Sequence, residues 1–141
     1  MPNRVTKGKA LVGSLRGPRG GLGQFALVAT VARTDTAAKA LGTLPKDAQV
    51  TGLTVWGAAA SNAGTSANVS VGKAGGNGHE YLNALDVKTA ATGAGQVTPN
   101  GGLLFAPTVA ASDITVTATY AETGTASTSG GPWTIILEYV V

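Results

Sequence analysis

Histidine and carboxylate side chains are where reactivity would have to begin in this chain, and it offers one His and seven Asp and Glu in 141 residues. A lone histidine cannot form a two-histidine metal site within one chain, and a serine triad would have to be assembled around His79 alone. His79 lies in the run GNGHEY, whose glycines mark a turn, and an exposed turn histidine is the reading its surroundings favour. Its neighbour Glu80 would face the opposite side of any strand. The carboxylates Asp35, Asp47, Glu80, Asp86, Asp113, Glu122 and Glu138 show no spaced pair of the kind that glycoside hydrolysis uses, and turn and strand-end roles account for them. Cysteine is absent, which removes disulfides and thiolate metal sites together. The expectation is a protein without catalytic residues, metal or cofactor.

The cluster Gly17-Pro18-Arg19-Gly20-Gly21-Leu22-Gly23 has glycines enough for a phosphate loop, but a dinucleotide fingerprint needs a strand before it and a helix after it. Here a charged segment precedes the cluster and a strand-like run follows. It reads as a hinge.

Charge is the more informative chemistry. Residues 1–19 hold Arg4, Lys7, Lys9, Arg16 and Arg19 and no acid, so half of the ten cations sit in one arm. The rest of the chain sets five cations (Arg33, Lys39, Lys46, Lys73, Lys88) against the seven acids, a net −2. Such an arm could neutralise phosphates, yet it has no aromatic residue for base stacking and no recognition motif, so nucleic acid is disfavoured as the partner. An extended arm that docks on an acidic protein surface is preferred, with Leu11, Val12 and Leu15 supplying apolar contacts between the charges. Among the aromatic residues, Trp133 and Tyr139 share the parity of an apolar strand face and are expected in a core. Trp56 has the opposite parity to Leu53 and Val55, which makes it the candidate for a binding surface or subunit interface.

The elements that must carry these residues follow a period of two. Ile114, Val116, Ala118 and Tyr120 alternate with Thr115, Thr117 and Thr119, and Trp133, Ile135, Leu137, Tyr139 and Val141 repeat the pattern. The polar run Glu122 to Pro132 between them predicts an antiparallel hairpin with a long tip that reaches for partners. Gln49 to Gly57 and Ala67 to Lys73 read as strands with Leu53, Val55, Val69 and Val71 inward. Gln24 to Arg33, apolar or small on both faces, reads as a central strand. Ala37, Ala38 and Ala40 could extend a helical pattern there, but Thr30, Val31, Thr34 and Thr36 favour the strand. From Ala74 to Asn100 short strands joined by loops are expected, with Gly93 to Pro99 as a loop. No apolar run approaches the roughly 20 residues of a membrane-spanning helix. The total, seven to nine strands spaced by turn signals, predicts an all-β fold: a jelly-roll-like β-sandwich over residues 23–141 behind an extended basic arm and hinge at residues 1–22.

One resemblance adds to this. The run LGTLPKDAQVTGL from Leu41 to Leu53, followed by SANVSVG from Ser66 to Gly72, resembles small virion structural proteins of tailed bacteriophages: an LP-x-x-A turn feeding a strand, a loop, then a strand ending in V-G. YLNALD from Tyr81 and the ending GPWTIILEYV from Gly131 share the texture. The resemblance implies a capsid cement or decoration protein on the virion surface, commonly a homotrimer, whose partner is the major capsid protein. The arm is outside the resembling region; its assignment to capsid binding rests on its charge. A tail-fibre or spike domain that binds a host glycan is the alternative.

Overall fold

The computed structural model describes residues 23–89, 93–97 and 110–141. Eight strands occur among them: β1 Gln24–Val31, β2 Lys39–Leu44, β3 Gln49–Gly57, β4 Ser66–Lys73, β5 Leu82–Asp86, β6 Gly93–Val97, β7 Ile114–Thr123 and β8 Trp133–Val140. They form two antiparallel four-stranded sheets, sheet I in the order β1-β8-β3-β6 and sheet II in the order β2-β7-β4-β5. Pairing runs β1 with β8, β2 with β7, β3 with β6 and β4 with β5, so the chain folds back on itself and successive pairs alternate between the sheets. That winding is the jelly-roll-like sandwich expected from the strand count.

The alternating residues meet between the sheets. Leu53, Val69, Val71, Val116, Ala118, Tyr120, Ile135 and Leu137 are fully or almost fully buried, and each large aliphatic side chain so enclosed contributes about 1.5–3 kcal/mol. Tyr120 of sheet II stacks on Trp133 of sheet I, with ring centroids 5.2 Å apart and planes 13° from parallel. At the β1–β2 side the sheets close through Gly42, where a Cβ would stand 3.1 Å from Leu27 Cδ2; the missing side chain lets Leu27 lie against the β2 backbone.

Four expectations need correction. The strands on either side of Glu122 to Pro132 do not pair as a hairpin: β7 belongs to sheet II and β8 to sheet I, so the connecting loop crosses the sandwich. Local sequence gives both arrangements the same alternation, and the winding of the whole chain decides between them. β1 is an edge strand of its sheet rather than a central one. Its two-sided apolar character leaves Val28 63% exposed on the outer face. Residues 93–97, expected as loop, form a strand because β3 offers them a ladder from Leu53 to Gly57. β2 was not anticipated as a separate strand; a register irregularity between Ala40 and Gly42 disrupts the period of two that would have announced it.

Candidate assembly surface

The polar groups concentrate at the end of the sandwich where the β1–β2, β3–β4 and β7–β8 loops meet, and there they answer one another. The Tyr120 hydroxyl donates to Glu122 Oε2 at 2.6 Å, which leaves it to accept from Ser61 Oγ at 2.7 Å. Ser127 gives its hydroxyl to Glu122 Oε2 at 2.6 Å and its N–H to Glu122 Oε1 at 2.8 Å. Arg33 Nη1 donates to the Ser127 carbonyl at 2.8 Å. Asn62 Oδ1 accepts from the N–H groups of Thr128 and Ser129, both at 2.9 Å, and Asn62 Nδ2 donates to Thr128 Oγ1. Gly130 has φ +129°, and a Cβ there would lie 2.6 Å from Ser61 Cα, so only glycine lets the loop lie this close to its neighbour. The run from Glu122 to Pro132 is thus fastened to the body.

Electrostatics in this region is likewise settled locally. The Ser127 hydroxyl, then the Tyr120 hydroxyl and the Ser127 N–H, hold the Glu122 carboxyl below its ordinary pKa. The Ala32 N–H and then the Lys39 ammonium do the same for Asp35, with Lys39 Nζ 3.0 Å from Asp35 Oδ2.

His79 is exposed, and its backbone N–H donates to Asn77 Oδ1 at 3.0 Å. Burial pushes the Glu80 carboxyl up, but N–H donation from Lys73 and Asn77 outweighs it and the net shift is downward. Glu80 therefore serves its own turn. It borders a cavity of about 440 Å³ that also touches Leu44, Val50, Lys73 and Tyr81, where no second carboxylate faces it among the described residues. Among the described residues no three His, Cys, Asp or Glu side chains gather as a metal site, and no helix is long and apolar enough to cross a membrane.

The outer face of sheet I is different in kind. Cross-strand register places Val28, Ile136 and Thr54 in one row, Thr30, Thr134 and Trp56 in the next, and Ala26, Glu138 and Gly52 on the other side of the first. Trp56 is 47% exposed, on the side of β3 opposite to Leu53 and Val55, as its parity required. Of the exposed large apolar side chains of the described residues, Val28 and Trp56 lie on this face, while Phe25 and Val141 have the parity of the inward residues and sit at the rim of the core. Phe25 is partly covered by Tyr139, which it meets at 5.6 Å between centroids.

Sheet II turns a contrasting face to the outside. Its rows pair Thr43 with Thr115, Thr119 with Ser70, and Thr123 with Ser66, the last through hydroxyls 2.7 Å apart.

Of the binding residues expected from the sequence, Trp56 is the one that lies among the described residues. The arm residues Arg4, Lys7, Lys9, Leu11, Leu15, Arg16 and Arg19, and with them the division at residue 22, lie outside the described residues. Val28, Ile136 and Glu138 were missed as surface residues. Val28 has the opposite parity to buried Val31, but both faces of the run are apolar or small, so parity does not say which of them turns inward. The parity of Ile136 and Glu138 against Ile135 and Leu137 was a usable signal.

The fold resembles chains found in phage capsids. A chain of the acid-stable capsid of Helicobacter pylori bacteriophage KHP30 superposes with a TM-score of 0.63 at 17% identity, over 84% of this chain and 87% of that one. A chain of the capsid asymmetric unit of cyanophage Pam1 superposes with a TM-score of 0.54 at 21% identity, over 85% of this chain and 81% of that one. No protein-family model and no curated protein matches the sequence.

Proposed function

We propose that the protein is a noncatalytic structural component of a phage virion that binds the outside of the capsid and cements adjacent shell subunits. The likeness to chains of two phage capsids over more than four-fifths of this sequence carries the reading. The composition supports it: a body poor in charge and free of cysteine joins a short arm with five cations and no acid. In this reading the partner is the major capsid protein and the body assembles as a homotrimer. Arg4, Lys7, Lys9, Arg16 and Arg19 make charged contacts with the shell while Leu11 and Leu15 pack between them. Two linked contacts, arm and body, raise avidity beyond either alone because the second forms at high effective concentration.

Sedimentation of the full chain with undecorated shells tests this, beside a chain with the five arm cations changed to Gln. Stoichiometric binding that weakens in the substituted chain and at higher salt is the expected result. No binding by the unsubstituted chain overturns it. A second reading, a tail-fibre or spike domain that binds a host glycan, draws on the exposure of Trp56, since an open indole can stack on a sugar face. It predicts quenching of Trp56 emission by host glycan and indifference to shells.

A further inference from the structure

The outer face of sheet I combines two features that seldom occur together on a free surface. Its two rows set the large apolar side chains of Val28, Ile136 and Trp56 among Thr54, Thr30 and Thr134, and beside them on β8 it carries one carboxylate, Glu138. The other acids of the body are engaged: Asp35 and Asp47 with lysines, Asp86 with Thr89 and the Lys88 N–H, Asp113 with the Lys46 N–H, Glu80 with its turn and Glu122 with Tyr120 and Ser127. Glu138, half-buried, has no hydrogen bond or ion pair among the described residues.

We infer that this face is the body's seat on the capsid shell, and that its occupant is a shell surface presenting one Lys or Arg among small apolar groups, with the cation meeting Glu138. The inference rests on the cement reading and names the surface that reading leaves open. Charge complementarity selects the occupant. Covering an apolar face that holds an unpaired carboxylate is unfavourable unless the partner supplies a cation. Among the described residues a second copy seated face to face supplies none: Arg33 and Lys39 are bound near the β1–β2 turn, Lys46 pairs with Asp47, Lys73 is on sheet II and Lys88 follows β5, while the cement reading commits the arm cations Arg4, Lys7, Lys9, Arg16 and Arg19 to the shell. Such a pairing would bury two carboxylates without compensation. The outer face of sheet II, with its rows of Thr and Ser, has neither the apolar area nor an open charge at its centre.

The experiment measures shell binding by sedimentation for the full chain and for Glu138→Lys, Val28→Asp and, on sheet II, Thr119→Asp. Trp56 emission is followed on adding shells, with Trp56→Phe to assign the signal, and circular dichroism checks each fold. Expected are a blue shift of Trp56 on binding, a loss of affinity of about tenfold or more in Glu138→Lys and Val28→Asp, and binding by Thr119→Asp equal to the unsubstituted chain. Equal binding by all variants while the unsubstituted chain binds overturns the inference and leaves the cement reading standing. Failure of the unsubstituted chain to bind shells overturns both. Concentration-dependent self-association that Val28→Asp abolishes assigns the face to a second copy. Shielding of Trp56 in the free chain, relieved by Leu11→Asp with Leu15→Asp, assigns it to the arm. Either of these last two outcomes contradicts the shell as occupant.

Discussion

The loop end of the sandwich and the outer face of sheet I invert what their compositions suggest. The run from Glu122 to Pro132 is Gly, Ser, Thr and Ala between one acid and a closing proline, the composition of a solvent-reaching tip. Yet Glu122, Ser127, Thr128 and Ser129 spend their hydrogen bonds on Tyr120, Asn62 and each other. The face that carries Val28, Ile136 and Trp56 sets large apolar side chains among threonines and lies outside. Polar groups whose partners are internal stabilise the fold and have little left to offer another molecule, whereas apolar area without cover is where association gains most. Stability and assembly should therefore separate by region.

The largest expected effect is on the apolar face. Replacing both Val28 and Trp56 by Asp should weaken shell binding about a hundredfold, corresponding to about 2.7 kcal/mol, while the thermal midpoint stays nearly unchanged because both side chains are already exposed in the free protein. Parallel binding and melting measurements would show whether the two properties divide in this way.

Tyr120→Phe should do the opposite. It removes the hydroxyl that links Ser61, Glu122 and Ser127, leaves buried polar groups short of a partner and costs about 1–3 kcal/mol in urea unfolding, with shell affinity unaltered. A binding loss as large as that of the Val28 and Trp56 pair would erase the contrast between the regions.

A pH series sharpens it further. The hydroxyls of Ser127 and Tyr120 hold the Glu122 carboxyl below its ordinary pKa in the folded state. The unfolded chain therefore takes up the proton first as pH falls. The resulting stabilisation is full above the unfolded value and disappears as pH drops through the lower folded one. Glu122→Gln should flatten this part of the acid limb of the stability curve, with Asp35 and Asp86, also shifted downward, supplying the remainder. An unchanged acid limb in the variant would show that the Glu122 network does not stabilise the loop end.

The smallest effect belongs to the face of sheet II. Thr115 is exposed there in the row of Thr43, and Thr115→Lys should change stability by no more than about 0.5 kcal/mol and leave shell binding as it was. A marked binding loss would move the assembly surface to the other side of the sandwich.

Much of this architecture could be read from alternation alone. Leu53 and Val55, Val69 and Val71, and the parity of Trp133, Ile135 and Leu137 placed three strands correctly on the core, and the opposite parity of Trp56 placed its indole outside. What alternation cannot convey is which strands pair. β7 and β8 are adjacent in sequence and similarly patterned, yet they lie in different sheets because the chain folds back on itself, β8 against β1 and β7 against β2. Nor does it convey strands whose order comes from a neighbour: Gly93–Val97 has little β propensity of its own and is held by β3. Glu138 illustrates the same limit within the candidate surface, since its isolation depends on Ala26 and Gly52, which register brings beside it from β1 and β3.

Hydroxyl-radical footprinting of the full chain, free and bound to undecorated shells, tests the central claim most directly because it reads each exposed side chain in place. The account predicts protection of Val28, Trp56 and Ile136 on binding, with Tyr120 and residues 124–132 unchanged. Protection confined to that loop or to the outer face of sheet II, with Trp56 still fully reactive, would contradict it.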